Sequence, residues 1–142
     1  MARQFAVGRG QRLANRWVTL LIRLRLAPKD AYLLTVRGRR SGKPYTLPVR
    51  LVETAEGRWL VAPFGPVDWV RNARAAGRVT LSRGGRTEEA AVTELDARAA
   101  APVLQRYLAT VSIVGPYFDV KPDSPIDDFV TEAPRHPVFA LS

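Results

Sequence analysis

The chain alternates short apolar or β-branched segments with sharp turn sequences, and this pattern limits it to a mainly β fold. Each segment ends at glycine, at proline or in a polar turn, which is where strands end. The predicted strands are AYLLTVR (31–37), YTLPVRLVET (45–54), RWLVA (58–62), GRVTLS (77–82), RTEEAAVTEL (86–95) and HPVFALS (136–142). Gly84-Gly85 between two of them predicts a tight hairpin. Short, mostly antiparallel strands with few helices predict a barrel or a half-open roll.

Three helices are predicted beside these strands. Residues 10–26 place apolar side chains on one helical face, and Pro28 then ends the helix. This helix either covers one side of the barrel or rests, through its arginines and Trp17, on an anionic membrane. Two further helices are predicted near Asp68–Ala76 and Asp96–Ala109, the second capped by Asp96. We therefore expect a single domain over 1–142, with a helical segment at 1–28 and a barrel at 29–142.

Composition excludes several classes of chemistry. The chain has no cysteine and a single histidine, His136. Disulfides, thiolate nucleophiles and the usual zinc ligand sets are therefore not expected, and we predict no metal site. No apolar run reaches the length of a membrane span, and the first residues lack the pattern of a secretory signal. We expect a cytoplasmic protein, with attachment to the inner face of the membrane as the alternative that the 10–26 helix allows.

The positive charge is concentrated in the first third of the sequence. Of 22 Lys and Arg residues, 12 lie within residues 1–50 together with a single acid, Asp30. Such a patch attracts phosphates, carboxylates, nucleic acid or anionic lipids. A solvated arginine-rich surface would give the same count, so charge alone does not choose among these partners. Because the aromatic residues do not interleave with the cations as a stacking platform requires, we predict no nucleic-acid binding.

The turn GRRSGK (38–43) is the densest functional signal, and it looks suited to an anion. Glycines at 38 and 42 allow backbone N–H groups to face a phosphate. Ser41 adds a hydroxyl, and Arg39, Arg40 and Lys43 offer charge-assisted hydrogen bonds. The spacing is not that of a Walker A loop, since only three residues separate the glycines and Pro44 follows the lysine.

Two blocks of sequence resemble the deazaflavin-dependent nitroreductase and quinone reductase family of actinobacteria. They are TVRGRRSGKPYTLPV (35–49) and LVAPFGPVDWVRNARAAGRVTL (60–81), with HPVF (136–139) as weaker support. The resemblance implies a split β-barrel of the flavin-reductase-like, FMN-binding-like type. It also implies the coenzyme F420, whose phosphodiester and glutamate tail suit a basic groove.

The family pattern implies a set of coenzyme-binding residues. By position these are Arg39, Arg40, Ser41 and Gly42 in the turn, then Pro48, Ala62, Pro63, Phe64, Gly65, Trp69 and Asn72. Tyr45 stands where relatives often carry arginine, and Lys43 near it is expected to supply the charge. The loop between Ala62 and Trp69 is shorter than in the best-known nitroreductases. The resemblance implies hydride transfer from the reduced coenzyme to a small acceptor, namely a quinone, a nitro compound or an activated alkene.

One side chain is a candidate catalytic residue. Tyr117 comes from the region that covers the substrate in relatives, where a phenol could donate a proton or a hydrogen bond. Packing of a helix against the barrel is the alternative role for it and for Tyr107 and Phe118.

Two other functions remain open for the same fold. A barrel of this kind could bind a fatty acid or another apolar ligand without catalysis, although such a protein has no need of a cationic turn. It could also bind FMN or haem in place of the deazaflavin. The resemblance further suggests a homodimer, since many split barrels pair to complete their sites.

Overall fold

The computed structural model describes Arg16, residues 18–22 and residues 27–142. Six strands form the barrel: β1 (Ala31–Arg37), β2 (Pro44–Thr54), β3 (Gly57–Val61), β4 (Arg78–Arg83), β5 (Arg86–Glu94) and β6 (Val138–Leu141). Helix α1 (Asp68–Ala76) connects β3 to β4. Between β5 and β6 lie α2 (Ala97–Thr110), a 3₁₀ segment (Ser112–Tyr117), α3 (Ile126–Glu132) and a short 3₁₀ turn (Ala133–Arg135).

The strands close in the order β1-β2-β3-β6-β5-β4, and every pairing is antiparallel. The predicted mainly β class and the split-barrel architecture are therefore confirmed. Strand β2 has two neighbours in succession. Its first part pairs with β1, from Pro44 opposite Arg37 to Arg50 opposite Ala31, and its last part pairs with β3, from Leu51 opposite Leu60 to Thr54 opposite Gly57.

Turn chemistry fixes the corners of the barrel. Gly84 and Gly85 have φ of 55° and 83°, as a two-residue hairpin of type I′ requires, so the predicted hairpin is confirmed. Gly77 ends α1 in the left-handed conformation and donates its N–H to the Ala73 carbonyl at 2.8 Å. The strand predicted from residue 77 therefore begins at Arg78. Asp96 caps α2 as predicted, because its side chain accepts the Ala99 N–H at 2.9 Å.

Two core clusters position the functional residues. One fills the barrel between the strands and α1, and includes Leu34, Leu60 and Phe139. The other lies between β3, α2 and α3, and includes Leu104, Tyr107 and Phe129. Burial of side chains of this size is the main stabilising contribution, roughly 1.5–3 kcal/mol for each.

The segment before β1 is attached to the barrel at two points. Ile22 is fully buried and packs in a small cluster with Ala31 and Leu33. The Arg83 guanidinium donates to the backbone carbonyls of Ala27, Pro28 and Ala31 at 2.6–2.8 Å. Arg16 and residues 18–22 are helical, and the remainder of the predicted 10–26 helix lies outside the described residues. Within the described part, none of the helices has the length and hydropathy of a membrane span.

Candidate functional site

The cation turn, residues 38–43, is a tight loop closed by its own backbone. The Gly38 N–H donates to the Lys43 carbonyl at 2.8 Å, and the Gly42 N–H donates to the Gly38 carbonyl at 2.9 Å. Gly42 has a φ of 70°, a conformation that glycine adopts without strain. The backbone N–H groups of Arg40 and Ser41 donate to no residue that the structure describes. Two successive free N–H groups beside cationic side chains are the donor set of an anion-binding nest.

Gly38 is needed because two side chains close over it. A Cβ at this position would lie 2.7 Å from Tyr45 Cε2 and 2.9 Å from Ser41 Oγ, closer than real Cβ contacts allow. Ser41 Oγ and the Tyr45 hydroxyl lie 3.3 Å apart, and Ser41 Oγ also accepts the Lys43 N–H. The turn therefore fixes both hydroxyls on its cavity side.

Arg39 is hydrogen-bonded to helix α1 and is therefore not a free cation. Asn72 Oδ1 accepts its backbone N–H at 3.0 Å and its Nη1 at 2.7 Å, and Asp68 lies 3.6 Å from its Nη2. Asn72 is buried at 5% exposure, because α1 packs its polar side chain against the turn. The Arg39–Asn72 pair thus positions the turn, while Arg40 and Lys43 remain exposed, with no ion pair to a described residue.

Two cavities adjoin at Leu47 and Trp69, which line both. The first, here called the turn cavity, has a volume of about 400 Å³ and is lined by Gly38, Arg39, Arg40, Ser41, Tyr45, Thr46, Leu47, Asp68, Trp69 and Asn72. The second, here called the apolar cavity, has a volume of about 350 Å³. Its described lining is Val18, Leu21, Ile22, Ala27, Pro28, Ala31, Leu47, Pro48, Val49, Arg50, Val61, Pro63, Phe64, Trp69, Tyr107 and Val114. These neighbouring cavities, here together called the groove, place a polar lining beside an apolar one.

Strand β2 runs along this groove with one open edge. Residues 44–50 pair with β1 on one side, and no described strand pairs with them on the other. The Leu51 N–H donates to the Asp30 carbonyl on the β1 side, so residues of the alternate parity, including Thr46, direct their N–H groups toward the groove. Pro44 and Pro48 share that parity, and a proline is tolerated there because no ladder hydrogen bond is lost.

The segment 62–65 forms part of the wall of the apolar cavity and is hydrogen-bonded to the residues just before β6. The Ala62 N–H donates to the Pro137 carbonyl at 2.8 Å, and Gly65 has a φ of 91°. The Pro63 carbonyl lies 2.8 Å from His136 Nδ1. This segment therefore has a fixed backbone position beside the apolar cavity.

His136 and Glu132 form a buried pair behind that wall. Their Nε2 and Oε2 atoms are 2.6 Å apart, and both side chains are at most 5% exposed. The His136 ring stacks on Phe118 at 3.7 Å, and Glu132 Oε2 also accepts the Asp119 N–H. His136 is thus a hydrogen-bonding structural residue that joins the 62–65 segment to the region after α2.

Among the described residues that line the apolar cavity, one carries a charge. Arg50 donates through Nε and Nη2 to both carboxylate oxygens of Asp30, at 2.9 and 3.0 Å. Tyr107 lies in the same lining, and burial raises the pKa of its phenol far above the ordinary value, so the group stays neutral. Arg50 was absent from the residues predicted from sequence.

Tyr117 lies beside the site but lines neither cavity in the described part of the chain. Its ring packs edge-on against Phe64, with centroids 4.8 Å apart. Gly42 and Lys43 belong to the turn without lining the turn cavity, and Ala62 and Gly65 shape the wall through their backbone. The remaining predicted residues, Arg39, Arg40, Ser41, Tyr45, Pro48, Pro63, Phe64, Trp69 and Asn72, line one or both cavities.

Comparison with known proteins decides between the anionic ligands that such a groove could hold. The family described as F420H(2)-dependent quinone reductase matches residues 9–124. The chain belongs to this family. Its coenzyme is accordingly the deazaflavin F420, and the protein is a deazaflavin-dependent oxidoreductase. A search of curated proteins gave no match.

Solved structures agree on the fold at low sequence identity. The F420-H2 dependent reductase FDR-A is 21% identical, with 80% of this chain and 95% of that chain covered and a TM-score of 0.55. A structure described as a domain-swapped dimer is 18% identical, with 95% and 100% covered and a TM-score of 0.57. The haem storage protein HutZ from Vibrio cholerae is 13% identical, with 80% and 81% covered and a TM-score of 0.55. The last likeness shows that this fold alone does not choose the bound group.

The residues present fit the family coenzyme. A phosphodiester needs hydrogen-bond donors and positive charge, and the turn offers two free N–H groups, the Ser41 hydroxyl, Arg40 and Lys43. A flat ring needs an apolar slot, and Pro63, Phe64 and Trp69 line one next to the turn. The missing Cβ of Gly38 leaves room for Tyr45 to approach, which keeps its hydroxyl at the cavity.

Proposed function

We propose that this protein reduces a small quinone with F420H2, that the turn cavity holds the charged part of the coenzyme, and that the apolar cavity holds both the coenzyme ring and the acceptor. The observation that carries the proposal is that the turn cavity and the apolar cavity lie on either side of two shared lining residues, Leu47 and Trp69. The reduced coenzyme supplies a hydride when bound. Nitro compounds and activated alkenes are hydride acceptors of the same kind, and comparing kcat/KM for one acceptor of each class separates them from quinones.

The cation turn would hold the negatively charged part of the coenzyme. Arg40, Ser41, Lys43 and the free backbone N–H groups supply the contacts, and Arg39 and Asn72 fix the turn from behind. Gly42 gives the turn its conformation, and Tyr45 adds a hydroxyl. Charge-assisted hydrogen bonds are worth roughly 1.5–3 kcal/mol each.

The apolar wall would receive the ring. Pro48 on the open edge of β2 faces the groove, and Trp69 with Pro63 and Phe64 completes the slot. The backbone of Ala62 and Gly65 sets the position of that wall. Apolar walls also exclude water from the reacting atoms and fix their approach, which is how a protein assists hydride transfer without an acid–base pair.

Tyr117 is proposed as a residue that shapes the acceptor side through Phe64. Its ring supports the Phe64 ring at 4.8 Å, so its loss would widen the slot. The Tyr117→Phe variant separates this role from proton donation. If the variant keeps the wild-type kcat, the phenol donates no proton in the reaction.

A fluorescence titration with oxidised F420 tests the coenzyme assignment. We expect the Arg40→Ala/Lys43→Ala double variant to bind at least about 100-fold more weakly, since two charge-assisted contacts are lost. Arg98→Ala/Arg106→Ala is the matched control, because it removes the same charge from exposed positions of α2. If both double variants lose affinity equally, net charge alone explains the loss, and the assignment of the cation turn as the coenzyme-binding site is overturned.

A non-catalytic role has one observation in its favour, namely that the described lining of the apolar cavity consists almost entirely of apolar residues. A protein that binds a fluorescent fatty acid but leaves the fluorescence of oxidised F420 unchanged would be an apolar-ligand carrier. A yellow protein isolated from a host without deazaflavin would indicate FMN instead. Each result would displace the proposed reaction.

Several expectations about organisation, location and binding partners remain predictions. They are the single domain over 1–142, the cytoplasmic location, the absence of nucleic-acid and metal binding, membrane contact through residues 10–26, and a homodimer. The domain-swapped neighbour supports the homodimer. Light scattering of the purified protein and flotation with anionic vesicles measure the assembly state and the membrane contact.

A further inference from the structure

We infer that Arg50 is the specificity-determining residue for the acceptor, selecting small molecules with a negatively charged or strongly polarised oxygen, such as a hydroxyquinone. This inference rests on the proposed function, because it assigns the free part of the apolar cavity to the acceptor. It concerns a residue that the family resemblance did not single out.

Arg50 is the one charged residue in the described lining of the apolar cavity. The other ionisable group there, Tyr107, stays protonated and cannot neutralise a cation. A pocket lined mainly by apolar side chains owes its selectivity to the few polar groups placed in it. The described lining therefore offers a bound molecule one cationic contact, and its other residues select only by shape and apolar contact.

The geometry of the Arg50 ion pair leaves part of the guanidinium available. Nε and Nη2 are used by the two carboxylate oxygens of Asp30. Nη1 donates to no described residue, and the Arg50 side chain keeps 31% exposure. The fork is thus held rigidly by Asp30 with one nitrogen unused, an arrangement suited to a single oxygen.

The position of Arg50 along β2 separates it from the cation turn. A strand rises about 3.3 Å per residue, so Arg50 lies about 10 Å beyond Leu47, where the two cavities join. The turn lies on the other side of Leu47 along the same strand. An anion bound at the turn and an oxygen bound at Arg50 are therefore at opposite ends of the groove and do not compete.

The chemistry of the reaction gives this cation a function. A quinone that receives a hydride gains two electrons and one proton, and it carries a negative charge on oxygen until a proton from water neutralises it. A hydrogen bond from Arg50 Nη1 would stabilise that charge. Asp30 weakens this stabilisation because its carboxylate neutralises part of the Arg50 charge. Removing the Asp30 charge should therefore strengthen the interaction between Arg50 and the quinone oxygen.

Two naphthoquinones of nearly equal size provide the test without coenzyme. The 2-hydroxy-1,4-naphthoquinone is an anion at neutral pH, and 2-methyl-1,4-naphthoquinone is neutral. Binding of each to the coenzyme-free protein is measured by isothermal titration calorimetry and by quenching of tryptophan fluorescence, since Trp69 lines the cavity. We expect the wild type to prefer the anion by roughly 10- to 100-fold, the range of one charge-assisted hydrogen bond.

Variants on the two sides of the ion pair should act in opposite directions. Arg50→Met should abolish the preference, and Asp30→Asn should increase it, because the guanidinium then loses its neutralising carboxylate. General destabilisation would move both variants the same way, so opposite shifts identify the charge itself. Arg98→Gln, at an exposed position of α2, is the control and should keep the wild-type preference.

Oxidised F420 is titrated into the same variants to separate the two proposals. Wild-type protein that fails to bind F420 overturns the proposed function, whatever Arg50 does. If F420 binds to both wild type and Arg50→Met with similar affinity, and Arg50→Met still prefers the anionic quinone, the inference about Arg50 is overturned and the proposed function stands.

Discussion

The buried His136–Glu132 pair makes a quantitative prediction about stability. In the His136→Leu variant, the Pro63 carbonyl and Glu132 Oε2 both lose the ring that now lies 2.8 and 2.6 Å from them. Leucine fills a similar volume but donates no hydrogen bond, and the stack with Phe118 disappears. Glu132, at 5% exposure, has little access to water as compensation.

The expected cost follows from this burial. The variant leaves two buried acceptors without this donor at about 1–3 kcal/mol each, or roughly 2–6 kcal/mol together, out of roughly 5–15 kcal/mol for a whole domain. The unfolding entropy near the transition is about 2.1 cal/mol/K per residue, or roughly 0.3 kcal/mol/K for 142 residues. The melting temperature of His136→Leu should therefore fall by about 7–20 °C.

Thermal unfolding followed by circular dichroism provides the assay, with Glu132→Gln/His136→Leu beside the single variant. In the double variant a neutral amide replaces the buried carboxylate, whose remaining cationic neighbour is Arg135 Nη1 at 3.4 Å, so part of the lost melting temperature should return. A single variant that melts within about 3 °C of wild type would refute the reasoning, because the pair would then contribute no more than an exposed contact.

Two further predictions concern the groove. Gly38→Ala should weaken binding of oxidised F420 about tenfold with a small change in melting temperature, because the new Cβ must displace the Tyr45 and Ser41 side chains. Gly115→Ala is the control, because a Cβ there would have no atom within 4 Å. Equal F420 affinities in the two variants would contradict the steric argument. Arg83→Ala should raise the rate of proteolysis in residues 18–22 and the KM for a quinone while leaving F420 affinity unchanged, because the segment before β1 loses the two hydrogen bonds at Ala27 and Pro28. Arg83→Lys should restore part of the protection. An unchanged cleavage rate in Arg83→Ala would show that Ile22 packing alone holds the segment.

Most of the barrel could be predicted from sequence because its corners are made by local chemistry. Glycine, proline and polar turns mark the strand ends, and most of the predicted bounds differ from the observed ones by one or two residues. The exception is α3 with the 3₁₀ segment before it, for which no helix was predicted. The signal was present, since Pro125 precedes α3 and Asp127 and Asp128 fall in its first turn.

In the site, too, residues that are consecutive in sequence could be predicted, and contacts between distant residues could not. The cation turn could be predicted because its glycines, serine and cations are consecutive. The ion pair of Arg50 with Asp30 joins residues 20 apart, and only the pairing of β1 with β2 brings them together. The Glu132–His136 spacing of four was readable only once a helix was assigned there.

Strand β2 explains why the groove exists at this place in the barrel. A closed antiparallel barrel normally leaves no free edge, and an open edge invites another strand to add. Prolines at 44 and 48 remove two of the N–H groups that an added strand would need on the groove side, while the β1 ladder loses nothing because its bonds come from the other parity. The edge therefore resists strand addition yet keeps the Thr46 N–H and the backbone carbonyls facing the groove. Pro44 and Pro48 therefore hinder pairing of β2 with another strand and leave its open edge accessible to a small molecule.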